Sequence, residues 1–99
     1  MNLKTFDSEK EFNEVTEKLY NYVLIRDNFL CQYCGGPGDE LHHILFRSQQ
    51  GKNKANNLIT LCIECHRGHN GIHGRGKDLK KEFMKKVFLN ERKLRKEMI

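Results

Sequence analysis

Two pairs of cysteines, Cys31-Gln-Tyr-Cys34 and Cys62-Ile-Glu-Cys65, constrain this chain more than any other feature. Each is a C-x-x-C, whose two intervening residues let both thiolates of one turn point at one ion. Two such turns complete a tetrahedron of soft ligands. A redox pair or two disulfides are the alternatives. At 99 residues the chain is short enough that a hydrophobic core alone is marginal, so a staple is expected. The opening "MNLKTFDSEKEF" is polar and charged, with no apolar core segment to read as a secretory signal, and no run reaches transmembrane length. The expectation is therefore a cytoplasmic, reducing setting without a membrane, where paired cysteines bind metal more often than they oxidise. Cys31, Cys34, Cys62 and Cys65 are assigned to one structural Zn²⁺. Four thiolates leave that ion no open position, so it folds the chain and any chemistry comes from elsewhere.

The rest of the pattern divides one domain, 1–99, into three segments. Ser8 followed by Glu11 has the form of a capping box, and Phe12, Val15, Leu19 and Tyr22 recur at helical spacing. An amphipathic helix is predicted over 8–25. The segment 26–76 holds all eight glycines, the proline, the four cysteines and all five histidines. There "CGGPGDE" reads as a tight turn, "LHHILF" as a short strand, "RSQQGKNKAN" as a polar loop and "NLITLC" as a second strand, with a short helix beginning near "IECHRGH". Over 77–99, Leu79, Phe83, Val87, Leu94 and Met98 mark the stripe of a second long helix. The fold class is small α+β. Residues 75–99 carry ten Lys/Arg against four Asp/Glu, and a basic segment of this kind suits a polyanionic partner such as nucleic acid.

His42 and His43 stand side by side in an apolar run, where a regular strand sends neighbouring side chains to opposite faces. A simple core buries at most one of them comfortably. Taken together, "RDNFLCQYCG", "LHHI", "RS" with its loop, and "NLITLCIECH" resemble the HNH nuclease family in its zinc-stapled ββα-metal (His-Me finger) form, over roughly residues 26–73.

That resemblance implies an endonuclease or nickase that hydrolyses phosphodiester bonds in DNA, leaving 5′-phosphate and 3′-hydroxyl ends. Residue by residue, it makes His43 the general base and His42 a metal ligand. Asn57 becomes the central asparagine whose amide orients the base, and His66 a second ligand. The family's further ligand falls at Asn70, where an amide departs from its pattern; His73, after a turn-forming Asn-Gly, and His69 are alternatives. The catalytic divalent ion is expected to be Mg²⁺ or Mn²⁺, with Ni²⁺, Co²⁺ or Zn²⁺ also admitted by two imidazoles. Arg47, Lys52, Lys54 and Arg67 are the candidate DNA contacts, since guanidinium and ammonium groups bind phosphate. Tyr33, inside the first pair, is expected to cover the zinc. The "CHRGHNGIHG" ending is similar to small phage-encoded members, which implies a bacterial host cell, a terminase partner and a link to DNA packaging. The chain would act as a monomer nicking one strand or as a homodimer cutting both. The competing class is a non-enzymatic zinc-binding nucleic-acid module, which would not need His43, Asn57 and His66 together; an RNA-directed nuclease is a third reading.

Overall fold

Helix α1 (Glu17–Arg26), strand β1 (Glu40–His43), a single 3₁₀ turn (Ala55–Asn57), strand β2 (Leu58–Leu61), the short helix α2 (Ile63–Arg67) and the long helix α3 (Gly76–Glu97) follow one another along the chain. The structure, a computed structural model, describes residues 9–46, 51–68 and 76–97. The arrangement is small α+β, as expected. β1 and β2 pair antiparallel, with Glu40 opposite Leu61, Leu41 opposite Thr60, His42 opposite Ile59 and His43 opposite Leu58.

Helix α1 begins later than the 8–25 prediction. Its N-cap is Thr16, whose hydroxyl accepts the Leu19 amide at 3.1 Å. The described residues before it are not helical: the Phe12 amide donates to the Asn53 carbonyl at 3.0 Å, and an isolated antiparallel bridge joins the two. An amide committed to a distant loop cannot also enter a helical ladder. Phe12 and Val15 thus precede the helix, and Ser8 lies outside the described residues. Within α1, Leu19, Tyr22 and Val23 form the buried face.

A lone two-stranded sheet is marginal in water, and here both of its faces are covered. All four residues of β2 are buried. Leu58 packs with Leu19, Tyr22, Val23, Ala55 and Leu94, whereas Ile59 and Leu61 pack with Cys31, Ile44, Phe83 and Val87. Strand alternation therefore sends β2 into two clusters, one against α1 and one against α3 and the thiols. Directly opposed residues share a face, so Glu40 and His42 go with the thiol side, Leu41 and His43 with the α1 side.

The α3 stripe appears as predicted at Phe83, Val87 and Leu94, with a buried glutamate, Glu91, between them. Glu91 accepts the Tyr22 hydroxyl at 2.6 Å and lies 3.5 Å from Arg26. Arg26 is itself 3% exposed. Its guanidinium grips Asp27 through two bonds, Nε to Oδ1 at 2.8 Å and Nη2 to Oδ2 at 2.9 Å, and donates to the Ala55 and Leu58 carbonyls at 2.7 Å each. Asp27 also accepts the Thr60 amide and the Asn90 side chain, each at 2.9 Å. Burial of this pair is compensated because nearly every donor and acceptor around it is used. Burial first, and then the bond to Glu91, push the Tyr22 hydroxyl well above its ordinary range. The network joins α1, the 3₁₀ turn, β2 and α3 behind the sheet.

Candidate functional site

The four thiols converge. Cys31, Cys34, Cys62 and Cys65 place their sulfurs within 4.8 Å of one another, and the Cys34 and Cys62 sulfurs are 3.8 Å apart. A tetrahedron with Zn–S bonds of roughly 2.3 Å has sulfur–sulfur edges of about 3.8 Å, so the cluster fits a four-thiolate zinc and not a pair of disulfides. Each C-x-x-C turn aims amides at its own first sulfur: Tyr33 and Cys34 N–H at Cys31, and Cys65 N–H at Cys62, all at 3.4 Å. Gly35, at φ +84°, lets the chain turn out of the first pair. Burial alone would push the Cys31 thiol up, but the amides of Cys34, Cys62 and Tyr33 outweigh it and bring it down to about 7. Burial and neighbouring thiols push Cys65 up well beyond its ordinary value. Without a cation the cluster cannot hold all four sulfurs as thiolates; a divalent ion resolves that conflict. Tyr33 is about half exposed beside the site.

The second centre lies on the thiol-side face of β1. His42 is 2% exposed, with its ring 5.4 Å from the His66 ring and 5.9 Å from Phe83. Helix α2, whose N-cap is Cys62 of the thiol cluster, carries His66 to this position, so an ion held by the four thiols would also fix the second imidazole. Nδ1 of His66 meets Oε1 of Glu40 at 2.8 Å. A carboxylate only accepts, so that ring nitrogen carries the proton and the neutral ring keeps its lone pair on Nε2. This is the second-shell arrangement that orients histidine ligands in metal sites. Glu40 is gripped on its other side by Arg67, whose Nε donates to Oε1 at 2.9 Å and whose Nη2 donates to Oε2. The bond from His66 first, and then that from Arg67, hold the Glu40 carboxyl below the usual range. His42 and His66 thus fit a divalent ion as neighbouring imidazole donors. Glu40 was not among the residues singled out from the sequence, although strand alternation puts it on the face of His42, two residues away. A groove of about 490 Å³, lined by Tyr20, Asp39, Glu40, Leu41, His66 and Arg67, opens beside the pair.

His43 faces the other way, and its partner corrects an expectation. Its Nε2 lies 2.8 Å from Oδ1 of Asn53. Asn57 was expected to hold the base, but its amide instead clamps the backbone of the β1–β2 loop: Nδ2 donates to Leu45 O at 3.2 Å and Lys52 O at 2.9 Å, and Oδ1 accepts Leu45 N–H at 2.9 Å. The reason lies in the 3₁₀ turn, which ends at Asn57 and points its side chain across the loop's mouth. Gly51 serves the same closure, since a Cβ there would lie 1.7 Å from the Leu45 carbonyl oxygen.

The remaining candidates divide. Lys52 is exposed and 3.6 Å from Glu11, Lys54 caps the 3₁₀ turn, and Arg67 is committed to Glu40. Arg47, His69, Asn70 and His73 lie outside the described residues. Among the described residues, the thiols are the one group of three or more converging metal-ligating side chains, and no helix is long and apolar enough to cross a membrane.

Residues 31–71 match the family model described as HNH endonuclease. Over that segment the chain is similar to HNH endonucleases. The matched segment runs from the first zinc ligand through α2, and so contains both thiol pairs, both strands and all three histidines of the two faces. In an alignment 65 residues long that covers 60% of this chain, it is 32% identical to a mitochondrial DNA mismatch repair protein mutS homolog of Sarcophyton glaucum. The chain spans 6% of that relative's length. A likeness to HNH endonucleases suggests nucleic-acid hydrolysis; α1 and all of α3 lie outside the matched segment and supply its outer packing.

Proposed function

We propose that this protein is a metal-dependent DNA endonuclease or nickase in which His43 is the general base and His42 and His66 hold one catalytic divalent ion. The observation that carries the reading is the meeting of His42 and His66 across β1 and α2, with Glu40 fixing the His66 tautomer. A second zinc-binding structural role would not need an imidazole so oriented outside the thiol cluster. The relative's name concerns DNA, which supports DNA as the polymer.

Hydrolysis of a phosphodiester needs a water deprotonated in line with the leaving oxygen and charge stabilisation on the phosphoryl oxygens. A bound Mg²⁺ or Mn²⁺ would supply the second, as a Lewis acid. His43, on the opposite face of β1 from His42, is assigned to take the water proton; an imidazole suits that role near neutral pH. Glu40 and Arg67 keep His66 aimed, and Asn57 holds the loop that carries Asn53, the partner of His43. Arg47, Lys52 and Lys54, between His43 and Ala55 in the sequence, are assigned to flanking phosphates, and Asn70 or His73 to the remaining coordination. The terminase partnership and the packaging role rest on the likeness of "CHRGHNGIHG" to phage-encoded members, and copurification with a large terminase subunit tests them.

The deciding experiment is a supercoiled-plasmid assay with Mg²⁺, Mn²⁺, Ni²⁺ or EDTA. Nicking that needs the added ion, and that disappears in folded, zinc-loaded His43→Ala, is expected. Undiminished cleavage by that variant sinks the base assignment, and binding without any cleavage favours the non-enzymatic module.

A further inference from the structure

We propose that Asn53 is the positioning residue of the base, holding His43 in the tautomer whose proton sits on Nε2 and whose lone pair sits on Nδ1. What that tautomer is used for rests on the nuclease reading; the tautomer itself is a property of the fold.

Hydrogen bonding removes an ambiguity in the Asn53 side chain. The two ends of an amide side chain are told apart only by their partners. One end of Asn53 lies 3.1 Å from the Asn13 carbonyl oxygen, which only accepts, so that end is the NH₂. The end 2.8 Å from His43 Nε2 is then the carbonyl oxygen. An oxygen without a proton also only accepts, so Nε2 must donate. In a neutral ring the lone pair is then on Nδ1.

Asn53 is built to keep this orientation. It is 4% exposed, its carbonyl accepts Phe12 N–H at 3.0 Å, and Phe12 is packed against the Leu19, Tyr22, Ala55 and Leu58 cluster. Asn57 fixes the backbone immediately before it through Lys52 O. The asparagine expected to touch the base thus acts one step away: Asn57 sets the loop, the loop carries Asn53, and Asn53 sets the imidazole. The brace at residues 12 and 13 lies outside the segment that matches the HNH family, so the base of this chain is aimed by a part of the sequence the motif does not contain.

The test uses the full-length, zinc-loaded protein labelled with ¹⁵N at histidine, with the His43 signals assigned by their loss in His43→Ala. Long-range ¹H–¹⁵N correlations are expected to show His43 as the Nε2–H tautomer in wild type. Asn53→Asp keeps an acceptor and should retain that signature, whereas Asn53→Leu should lose it. In cleavage assays Asn53→Leu should lower kcat by about 10- to 100-fold with little change in KM, part of the roughly 10²–10⁴-fold effect of a general base. An Nδ1–H tautomer in wild type overturns the proposal, as does a folded Asn53→Leu protein with tautomer and kcat unchanged. An Nε2–H signature in a wild-type protein that cleaves no nucleic acid supports the positioning and removes the nuclease reading instead.

Discussion

The two faces of β1 receive adjacent, identical imidazoles and give them different surroundings. On one face His42 is buried among rings and meets His66, whose far side is held by a carboxylate. On the other, His43 is half-buried and meets the neutral amide of Asn53. The carboxylate is the partner that aims and strengthens a metal-ligating histidine; the amide orients a ring without placing a full charge beside it. In the proposed function, sequence neighbours divide the work of ligand and base because strand alternation separates them and the two faces present different acceptors.

The largest test of this division removes what both faces share. Stripping zinc with a strong chelator, or making Cys62→Ser, should unfold the chain, because the thiol cluster ties the Cys31–Cys34 turn to the start of α2. Structural zinc in small domains is worth roughly 10–16 kcal/mol at neutral pH, and loss of the circular-dichroism signal on chelation checks it. A protein that stays folded and keeps His66 beside His42 without zinc would break the claim that the staple positions the second face. Next, His43→Ala should cut cleavage by roughly 10²–10⁴-fold while calorimetric Mn²⁺ binding persists; loss of Mn²⁺ binding would merge the two faces into one.

Glu40→Gln addresses the opposite face and should weaken divalent-ion binding by about 10- to 100-fold, leaving the His43 tautomer signals in place. The same residue has a pH signature. Its carboxyl is depressed by His66 and Arg67, so its stabilising effect is present above the ordinary glutamate value of about 4.3 and disappears as pH falls through the lower folded value. The unfolding free-energy difference between wild type and Glu40→Gln should thus be constant near neutrality and narrow on acidification below about pH 5; widening there would contradict the assignment. The smallest effect is expected at Lys52→Ala, an exposed side chain with a weak partner. DNA affinity should fall a few-fold, with the salt-dependence slope reduced by about one, read by fluorescence anisotropy in EDTA-free, metal-poor buffer.

Much of this was legible from residue spacing. The C-x-x-C pairs are local turns, so their geometry follows from the two residues between the cysteines. The strands, α2 and the α3 stripe follow from periodicity. The start of α1 did not: Ser8-Glu11 has the form of a capping box, but the Phe12 amide is committed to Asn53 and the helix is capped at Thr16. Glu91 sits on an apolar stripe where periodicity predicts a hydrophobe; its burial follows from Tyr22 and Arg26, distant in the chain. Asn57 was legible as important and was misassigned in its contact, since composition cannot say whether an amide reaches a ring or a carbonyl.

By itself, then, the sequence determined the directions: two thiolate turns aimed at one ion, and two imidazoles sent to opposite faces of a strand. Those follow from bonds between near neighbours. Only the tertiary structure decided what waits at the end of each direction, Glu40 with His66 on one side and Asn53 braced by Phe12 and Asn13 on the other. Such partners are separated by tens of residues and are brought together by strand register, by the convergence of the four thiols and by the segment before α1, none of which local spacing encodes.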